Sequence, residues 1–111
     1  MLFTTTNQFD GYEVSDYLGI VRGLIVRSPT ITQGISSFVQ RLTGGNIQAL
    51  TEMCEQARQH AFDLMCDHAK ELRADGVAGI HYESTELGSA GGGTITEVIC
   101  YGTAVKLERI K

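Results

Sequence analysis

The segment from Tyr12 to Val26 is rich in β-branched, aromatic and glycine residues, and it carries apolar side chains at both even and odd positions. These apolar residues are Leu18, Ile20, Leu24 and Val26 at even positions, and Tyr17, Val21 and Ile25 at odd positions. Successive side chains of a strand point to opposite faces of its sheet, so a strand that is apolar at both is covered on both faces. The pattern predicts such a strand here.

The residues after this strand predict a short amphipathic helix. Ser28 and Pro29 are typical of an N-cap and a first helical turn, apolar residues recur at helical spacing over residues 30–43, and Gly44 and Gly45 are typical of a helix end. Its polar face offers one arginine, whereas a membrane-surface helix has a basic face. We therefore expect this helix to pack in the core or between subunits.

The rest of the chain predicts a long helix and two further strands. Helical spacing of apolar residues runs from about Ile47 to Ala74. Residues 77–84 have the composition of a strand, residues 88–93 that of a flexible hairpin connection, and residues 94–110 that of a long last strand. The chain is thus expected to contain three strands and one long helix.

Length and composition point to a single small domain, which we expect to span residues 1–111, because 42% of the 111 residues are apolar and can form a modest core. The net charge of −4 disfavours a nucleic-acid surface, which needs clustered Lys and Arg. The longest apolar run, residues 17–26, is far shorter than the ~20 residues that span a bilayer, and the chain opens without a signal-peptide pattern. We expect a cytoplasmic protein that contacts neither nucleic acid nor membrane.

Two cysteines and two histidines in the long helix raise the question of a metal site. They are Cys54, His60, Cys66 and His68. Side chains on one helix share a ligand only at i,i+3 or i,i+4 spacing, and none of the four pairs in that way. A helical wheel places Cys54 and His68 on the apolar arc, and His60 and Cys66 on the polar side. The helix alone therefore predicts no metal site, and we expect Cys54 to pack as a small core residue and Cys66 to be partly exposed.

Tertiary contacts leave a weaker alternative open. Cys100 and His81 lie on predicted strands, where either could meet a helix residue, so a metal ion between subunits would have His68, Cys54 and Cys100 as its candidate ligands. His68 on an apolar arc also needs a hydrogen-bond partner and is expected to titrate abnormally. No local signature of a nucleophile surrounds any of the three cysteines, so we expect no catalytic residues and no enzymatic activity.

Arg58 is the one charged residue that the wheel places inside the apolar arc. An arginine there must extend its charge to solvent or pair with a carboxylate. We expect an ion pair at or near a subunit boundary, with Asp75 and Glu97 as the first candidates. Asp75 could instead be a turn residue that closes the helix.

Several short segments occur in a distinctive order and spacing along the chain. They are the helix stretch with Ala57-Arg58, Ala61, Ala69 and Leu72, the junction Ala74-Asp75 leading to Val77, Gly79 and Ile80, and the closing segment from Gly102 to Val105. Together with the threonine-rich start and the double glycine after the short helix, they resemble the YbjQ family of small bacterial proteins. Members of that family are often labelled "putative heavy-metal-binding".

The resemblance implies a β-α-β-β subunit with a dodecin-like fold, in which an antiparallel sheet packs on one long helix, and assembly as a homo-oligomeric ring, typically a pentamer. It implies no established activity, and the cofactor stays unknown apart from the metal ion that the label suggests. Arg73 stands where a glycine is usual and Cys54 where leucine is usual, while His60, Cys66 and His68 match no family motif. The metal label therefore cannot be transferred to these residues.

A closed homo-oligomer is also expected from the count of strands. Three strands against one helix leave one sheet face uncovered, and we expect Val98, Cys100 and Ala104 on the uncovered side of the last strand. We therefore expect a ring-forming binding module that holds a small ligand or metal ion between subunits. The alternative is a structural or protein-interaction scaffold with no small ligand.

Overall fold

The computed structural model of the chain describes residues 1–27, 47–90 and 93–111. In chain order these residues form β1 (Leu2–Phe3), β2 (Tyr12–Arg27), the helix α1 (Ile47–Glu71), β3 (Gly76–Ala90) and β4 (Gly93–Arg109). The short helix predicted over residues 30–43 lies outside the described residues. The α+β class, with one long helix packed on a sheet, is confirmed.

The sheet is mixed, with the strand order β1-β3-β4-β2. β4 pairs antiparallel with both β2 and β3, whereas β1 runs parallel to the start of β3. The predicted purely antiparallel sheet was therefore wrong, because the N-terminus adds a fourth strand that the sequence pattern did not reveal. The amide of Leu2 donates to the carbonyl of Asp75 at 3.0 Å, and the amide of Thr4 to that of Val77 at 3.1 Å. β1 has only two residues, which is too short for an alternation of apolar and polar side chains to show in the sequence.

α1 packs on one face of the sheet, mainly over β2 and β4. The main core is built from one stripe of the helix and the sheet side chains beneath it, and its fully buried residues are Val21, Ala61, Met65, Ala69, Val77, Cys100 and Ala104. Gly23 in β2 sets how closely the two layers approach, since a Cβ at this position would meet the backbone carbonyl of Ala61 and the backbone amide of Met65. The helix backbone therefore rests directly on the strand.

The faces of β2 and β4 differ from the prediction in two places. The pairing of β2 with β4 shifts register between Tyr17 and Gly19, so Leu18 packs against the core while Tyr17 is 71% exposed. Leu18 therefore does not share a face with Ile20, because a bulge resets the alternation of side chains. The second difference concerns three residues of β4 that we expected on the uncovered side, Val98, Cys100 and Ala104. They belong to the core between the sheet and the helix, so this prediction was wrong.

α1 ends in a left-handed turn. Arg73 has a φ of 59°, and the amide of Ala74 donates to the carbonyl of Ala69 at 3.1 Å. A glycine is the residue best suited to this position, because other L-residues crowd their own carbonyl there. The arginine carbonyl accepts a hydrogen bond from the Lys106 ammonium at 2.9 Å, which ties the turn to β4.

We expect Arg73→Gly to raise the free energy of unfolding by about 1 kcal/mol, since it removes a left-handed strain of about 1–2 kcal/mol at some cost in chain entropy. Arg73→Ala is the matched control, because it removes the same side chain but keeps the strain. Urea denaturation of the two variants and the parent measures the difference. Equal stability of the glycine and alanine variants would show that the backbone at this position carries no strain.

Candidate functional site

Two buried thiols and a thioether lie together between α1 and the sheet. The helix supplies Met65 and Cys66, and β4 supplies Cys100, which is fully buried. The thiol of Cys100 donates to the sulfur of Met65, with 3.6 Å between the two sulfur atoms. Tyr82 of β3 lies directly opposite Cys100 in the sheet and borders the same group. We call Met65, Cys66 and Cys100 the sulfur cluster.

Burial determines the protonation of both thiols in the sulfur cluster. It raises the pKa of Cys66, and the nearby negative charge of Asp63 raises it further. Burial also raises the pKa of Cys100, where a polar contact from the Tyr82 hydroxyl acts in the opposite direction and a charge on Cys66 would act in the same one. Both thiols are therefore protonated at neutral pH and poor nucleophiles.

The positions of the helix cysteines reverse the sequence prediction. Cys54, expected in the core, is exposed, and Cys66, expected to be partly exposed, is buried. A helical wheel gives the direction of a side chain but not what lies beside it. In the described part of the helix the first buried residue is Ala57, one turn after Cys54. Cys66 lies at the edge of the apolar arc, where β4 and β3 bring Cys100 and Tyr82 alongside it.

His68 has the hydrogen-bond partner that its position on the helix predicted. Its Nδ1 accepts from the backbone amide of Arg22 in β2 at 3.3 Å, and the side chain is half-buried. An imidazole that accepts at Nδ1 carries its proton on Nε2. His60 is exposed, as expected for the polar side of the helix.

The residues predicted to form an ion pair lie apart within one chain. Arg58 is exposed and makes no ion pair with the described residues. Asp75 accepts from the amide of Leu107 at 3.0 Å and from the ammonium of Lys106 at 3.2 Å, and these contacts lower its pKa. Glu97 lies half-buried on the sheet face away from the helix. Pairing of Arg58 with a carboxylate of another subunit stays a prediction.

The candidate metal ligands of the sequence do not meet in one chain. Among residues 1–27, 47–90 and 93–111, no three His, Cys, Asp or Glu side chains converge on one point. Cys54 is exposed near the start of the helix, His68 faces β2, and Cys100 is buried beside Met65. His81 lies on the opposite side of the sheet from the helix, where its ring centroid is 5.8 Å from that of Tyr101.

The sheet face away from α1 carries mostly apolar side chains along β2 and a row of polar side chains that crosses the three long strands. We call it the uncovered face; it carries Ile20, Arg22, Leu24 and Val26 of β2, Glu97, Ile99 and Tyr101 of β4, and His81 and Glu83 of β3. Ile20 is 73% exposed, and Leu24 and Val26 are also exposed. The Tyr101 hydroxyl donates to Glu83 at 3.0 Å, and this bond to a carboxylate is the main reason that the pKa of Tyr101 is raised.

β2 also forms one edge of the sheet. Its neighbour in the strand order is β4, and the opposite edge of β2 pairs with no strand among the described residues. Such an edge presents unpaired backbone amides and carbonyls, of which the Arg22 amide is satisfied by His68. The part of the chain that the structure describes contains no helix long and apolar enough to cross a membrane.

Comparisons with known proteins show the family to which the chain belongs. Residues 1–108 match the YbjQ family model, which is described as "Putative heavy-metal-binding". A UPF0145 protein of Legionella pneumophila is 51% identical over 105 residues, covering 95% of this chain and 96% of that protein. A UPF0145 protein of Chromobacterium violaceum is 46% identical over 107 residues, covering 96% of this chain and 88% of that one.

A crystal structure from Pediococcus pentosaceus shares the fold. That protein, described as one of unknown function in the DUF74 family, superimposes with a TM-score of 0.64 at 19% sequence identity, covering 97% of this chain and 98% of its own. The resemblance noted in the sequence is thus confirmed by a model match over nearly the whole length and by relatives at about half identity. The chain belongs to the YbjQ family, whose relatives here carry the name UPF0145.

Proposed function

We propose that the protein is a ring-forming homo-oligomeric binding module in the cytoplasm, in which the uncovered face of one copy packs against another copy. The observation that carries this proposal is the exposure of Ile20, Leu24 and Val26 along one strand. A row of exposed apolar side chains on a small domain marks an interaction surface. The dodecin-like ring and the pentamer are what the family resemblance suggests for its form.

A second copy of the chain suits this surface better than an unrelated partner does. β2 combines an apolar row with an unpaired edge, and both are covered at once when another subunit packs against the strand. Arg22 lies within the row, so the covering surface must offer it an acceptor. Glu83 and Glu97 of the same face provide carboxylates on every copy.

The ligand of such a module would lie where subunits meet. The polar row across the uncovered face, formed by Arg22, Tyr101 and His81 with Glu83 bonded to Tyr101, offers a cation, hydroxyl, imidazole and carboxylate close to that boundary. These groups suit a small polar ligand or a metal ion. Catalysis by a thiol nucleophile is not proposed, because burial raises the pKa of both buried thiols and makes them poor nucleophiles.

Ile20→Asp tests the assembly. A carboxylate placed in an apolar interface loses its hydration when the interface forms, so we expect the variant to shift from ring to smaller species at micromolar concentration. Because Ile20 is 73% exposed in one chain, the fold of the subunit should be unaffected. Native mass spectrometry and light scattering measure the number of subunits, and circular dichroism measures the fold.

Ile110→Asp is the matched control, since Ile110 is 56% exposed and follows the end of β4. It should assemble as the parent does. The proposal fails if the parent chain is a monodisperse monomer at micromolar concentration, or if Ile20→Asp assembles unchanged.

The second candidate is a scaffold with no small ligand. It is favoured by the absence, among the described residues, of any three converging His, Cys, Asp or Glu side chains. Elemental analysis and native mass spectrometry of protein purified without an affinity tag separate the two functions. A ring that retains a small molecule or stoichiometric metal supports the binding module, and a ring of bare chains supports the scaffold.

A further inference from the structure

We propose that a cavity beside the N-terminal strand binds a small neutral ligand with several hydroxyl groups, of the chemical class of a monosaccharide. The cavity has a volume of about 740 Å³ and is lined by residues of the segment from Leu2 to Tyr12. Binding sites for small molecules have volumes of about 300–1,000 Å³. The lining comes from one chain and does not include the polar row of the uncovered face. The inference therefore goes beyond the ligand proposed between subunits.

Hydrogen bonds fix the loop that borders the cavity. The carbonyl of Thr6 accepts from the amide of Gly79 in β3 at 2.9 Å, and the carbonyl of Thr4 accepts from that of Ile80 at 3.1 Å. The Thr6 hydroxyl donates to the carbonyl of Gln8 at 3.1 Å and lies 2.8 Å from the Thr4 hydroxyl. Because the loop is held in this shape without a ligand, little conformational entropy is lost when a ligand binds.

Aromatic rings form the apolar part of the lining, and packing holds two of them in place. Phe9 is 8% exposed, and its ring lies so close to Gly76 of β3 that a Cβ there would be 3.1 Å from it. Phe3 packs edge to face on Phe62 of α1, with ring centroids 5.0 Å apart. With the ring of Tyr12, these side chains offer apolar surface to the C–H groups of a sugar ring.

The polar part of the lining has unused hydrogen-bonding capacity. The side chains of Asn7, Gln8, Asp10 and Tyr12 make no hydrogen bond with other described residues. A carboxamide and a phenol can each donate and accept, and a carboxylate accepts. A ligand hydroxyl also donates and accepts, so a molecule with several hydroxyl groups matches this set of partners.

The charges of the lining disfavour other classes of ligand. Its one charged side chain is the exposed carboxylate of Asp10, so an anion finds no Lys, Arg or His to pair with. A cation would gain a single solvent-exposed ion pair, which contributes little. An apolar molecule would remove water from the polar side chains without replacing their hydrogen bonds. A neutral ligand with several hydroxyl groups is the class that remains.

The test is saturation-transfer NMR of the full-length protein with D-glucose, D-galactose, D-mannose, D-ribose and N-acetyl-D-glucosamine, each added alone. We expect saturable binding of at least one of these sugars, and none of acetate or tetramethylammonium, which serve as anionic and cationic probes. Asn7→Ala and Tyr12→Phe should each weaken binding about 2- to 10-fold, the effect of removing one neutral hydrogen bond. Circular dichroism checks that each variant is folded.

Gln56→Ala is the matched control, because it removes a carboxamide from the exposed side of α1. It should bind the sugar as the parent does. Ile20→Asp should also bind it unchanged, because the cavity belongs to one chain. A monomeric parent that binds the sugar would contradict the ring alone and not this site.

Three results would overturn the site. The first is that none of the sugars binds saturably, and the second is that acetate or tetramethylammonium binds more tightly than every sugar. The third is that Asn7→Ala weakens binding no more than Gln56→Ala does, which would place the bound sugar elsewhere on the protein.

Discussion

Gly23→Ala is expected to destabilise the protein by about 3 kcal/mol, the upper end of the usual cost of overpacking a core. The added methyl group would meet the carbonyl of Ala61 and the amide of Met65, and both belong to the helix backbone. Backbone cannot rotate away as a side chain can, so α1 must move as a unit from β2. Urea denaturation at fixed protein concentration measures the change, because assembly couples stability to concentration.

Gly19→Ala is the matched control on the same strand. Nothing lies within 4 Å of a Cβ at Gly19, and its φ of 113° makes the substitution a test of backbone strain alone. Such strain costs of order 1–3 kcal/mol, so the control should lose less than Gly23→Ala and should leave the spacing of the helix and sheet unchanged. A larger loss at Gly19 than at Gly23 would mean that the helix yields easily.

Met65→Ala should cost about 2–5 kcal/mol, because Met65 is the largest of the fully buried side chains and its truncation leaves a cavity between helix and sheet. Met65→Leu keeps the volume and should cost less than ~1.5 kcal/mol. Differential scanning calorimetry and urea denaturation of both variants give the comparison. If the leucine and alanine variants lose equal stability, the sulfur contact with Cys100 rather than the packing volume holds this part of the core.

The main elements could be predicted from the sequence, and so could the ends of β2 and β4 to within one residue, but the end of α1 and the connection between β3 and β4 could not. The long helix was predicted from Ile47 to Ala74 and ends at Glu71, because Arg73 takes a left-handed conformation that few residues other than glycine favour. The connection predicted over residues 88–93 falls partly within β3 and β4. Glycines at a hairpin tip can continue strand pairing, which composition alone does not reveal.

The faces of the strands were harder to predict than the strands themselves. That β2 is apolar on both sides was read correctly, but the bulge near Leu18 exchanged the faces of its neighbours. A single inserted residue reverses the alternation, and no residue type announces it. Cys100 was placed on the wrong side of β4 for another reason: alternation along a strand shows which residues share a face but not which face the helix covers, and the sulfur cluster was missed for that reason.

One signal of the candidate site was present in the sequence. Gly23 interrupts an apolar strand, and a glycine in a strand interior often marks the close approach of another backbone. Once α1 is placed against Gly23, the helix residues near Met65 and Cys66 must meet the strand beside β2. The residue of β4 that lies beside these helix residues is Cys100, because Cys100 pairs with Gly23. The register of two strands so far apart in sequence cannot be deduced from the pattern of either strand alone.

The order of strands in the sheet also determines the order in which the chain can fold. β2 pairs with β4 from Tyr12↔Arg109 to Arg27↔Thr96, so every pair joins an early part of the chain to a late one. Contacts so distant in sequence form slowly, because a long loop must close before any of them contributes. β2 is synthesised before α1, β3 and β4, and its apolar side chains and both backbone edges stay available to other chains until β4 arrives. The nascent protein is therefore most prone to aggregation while β2 waits for its partner strand, and a chaperone would act on it in that interval.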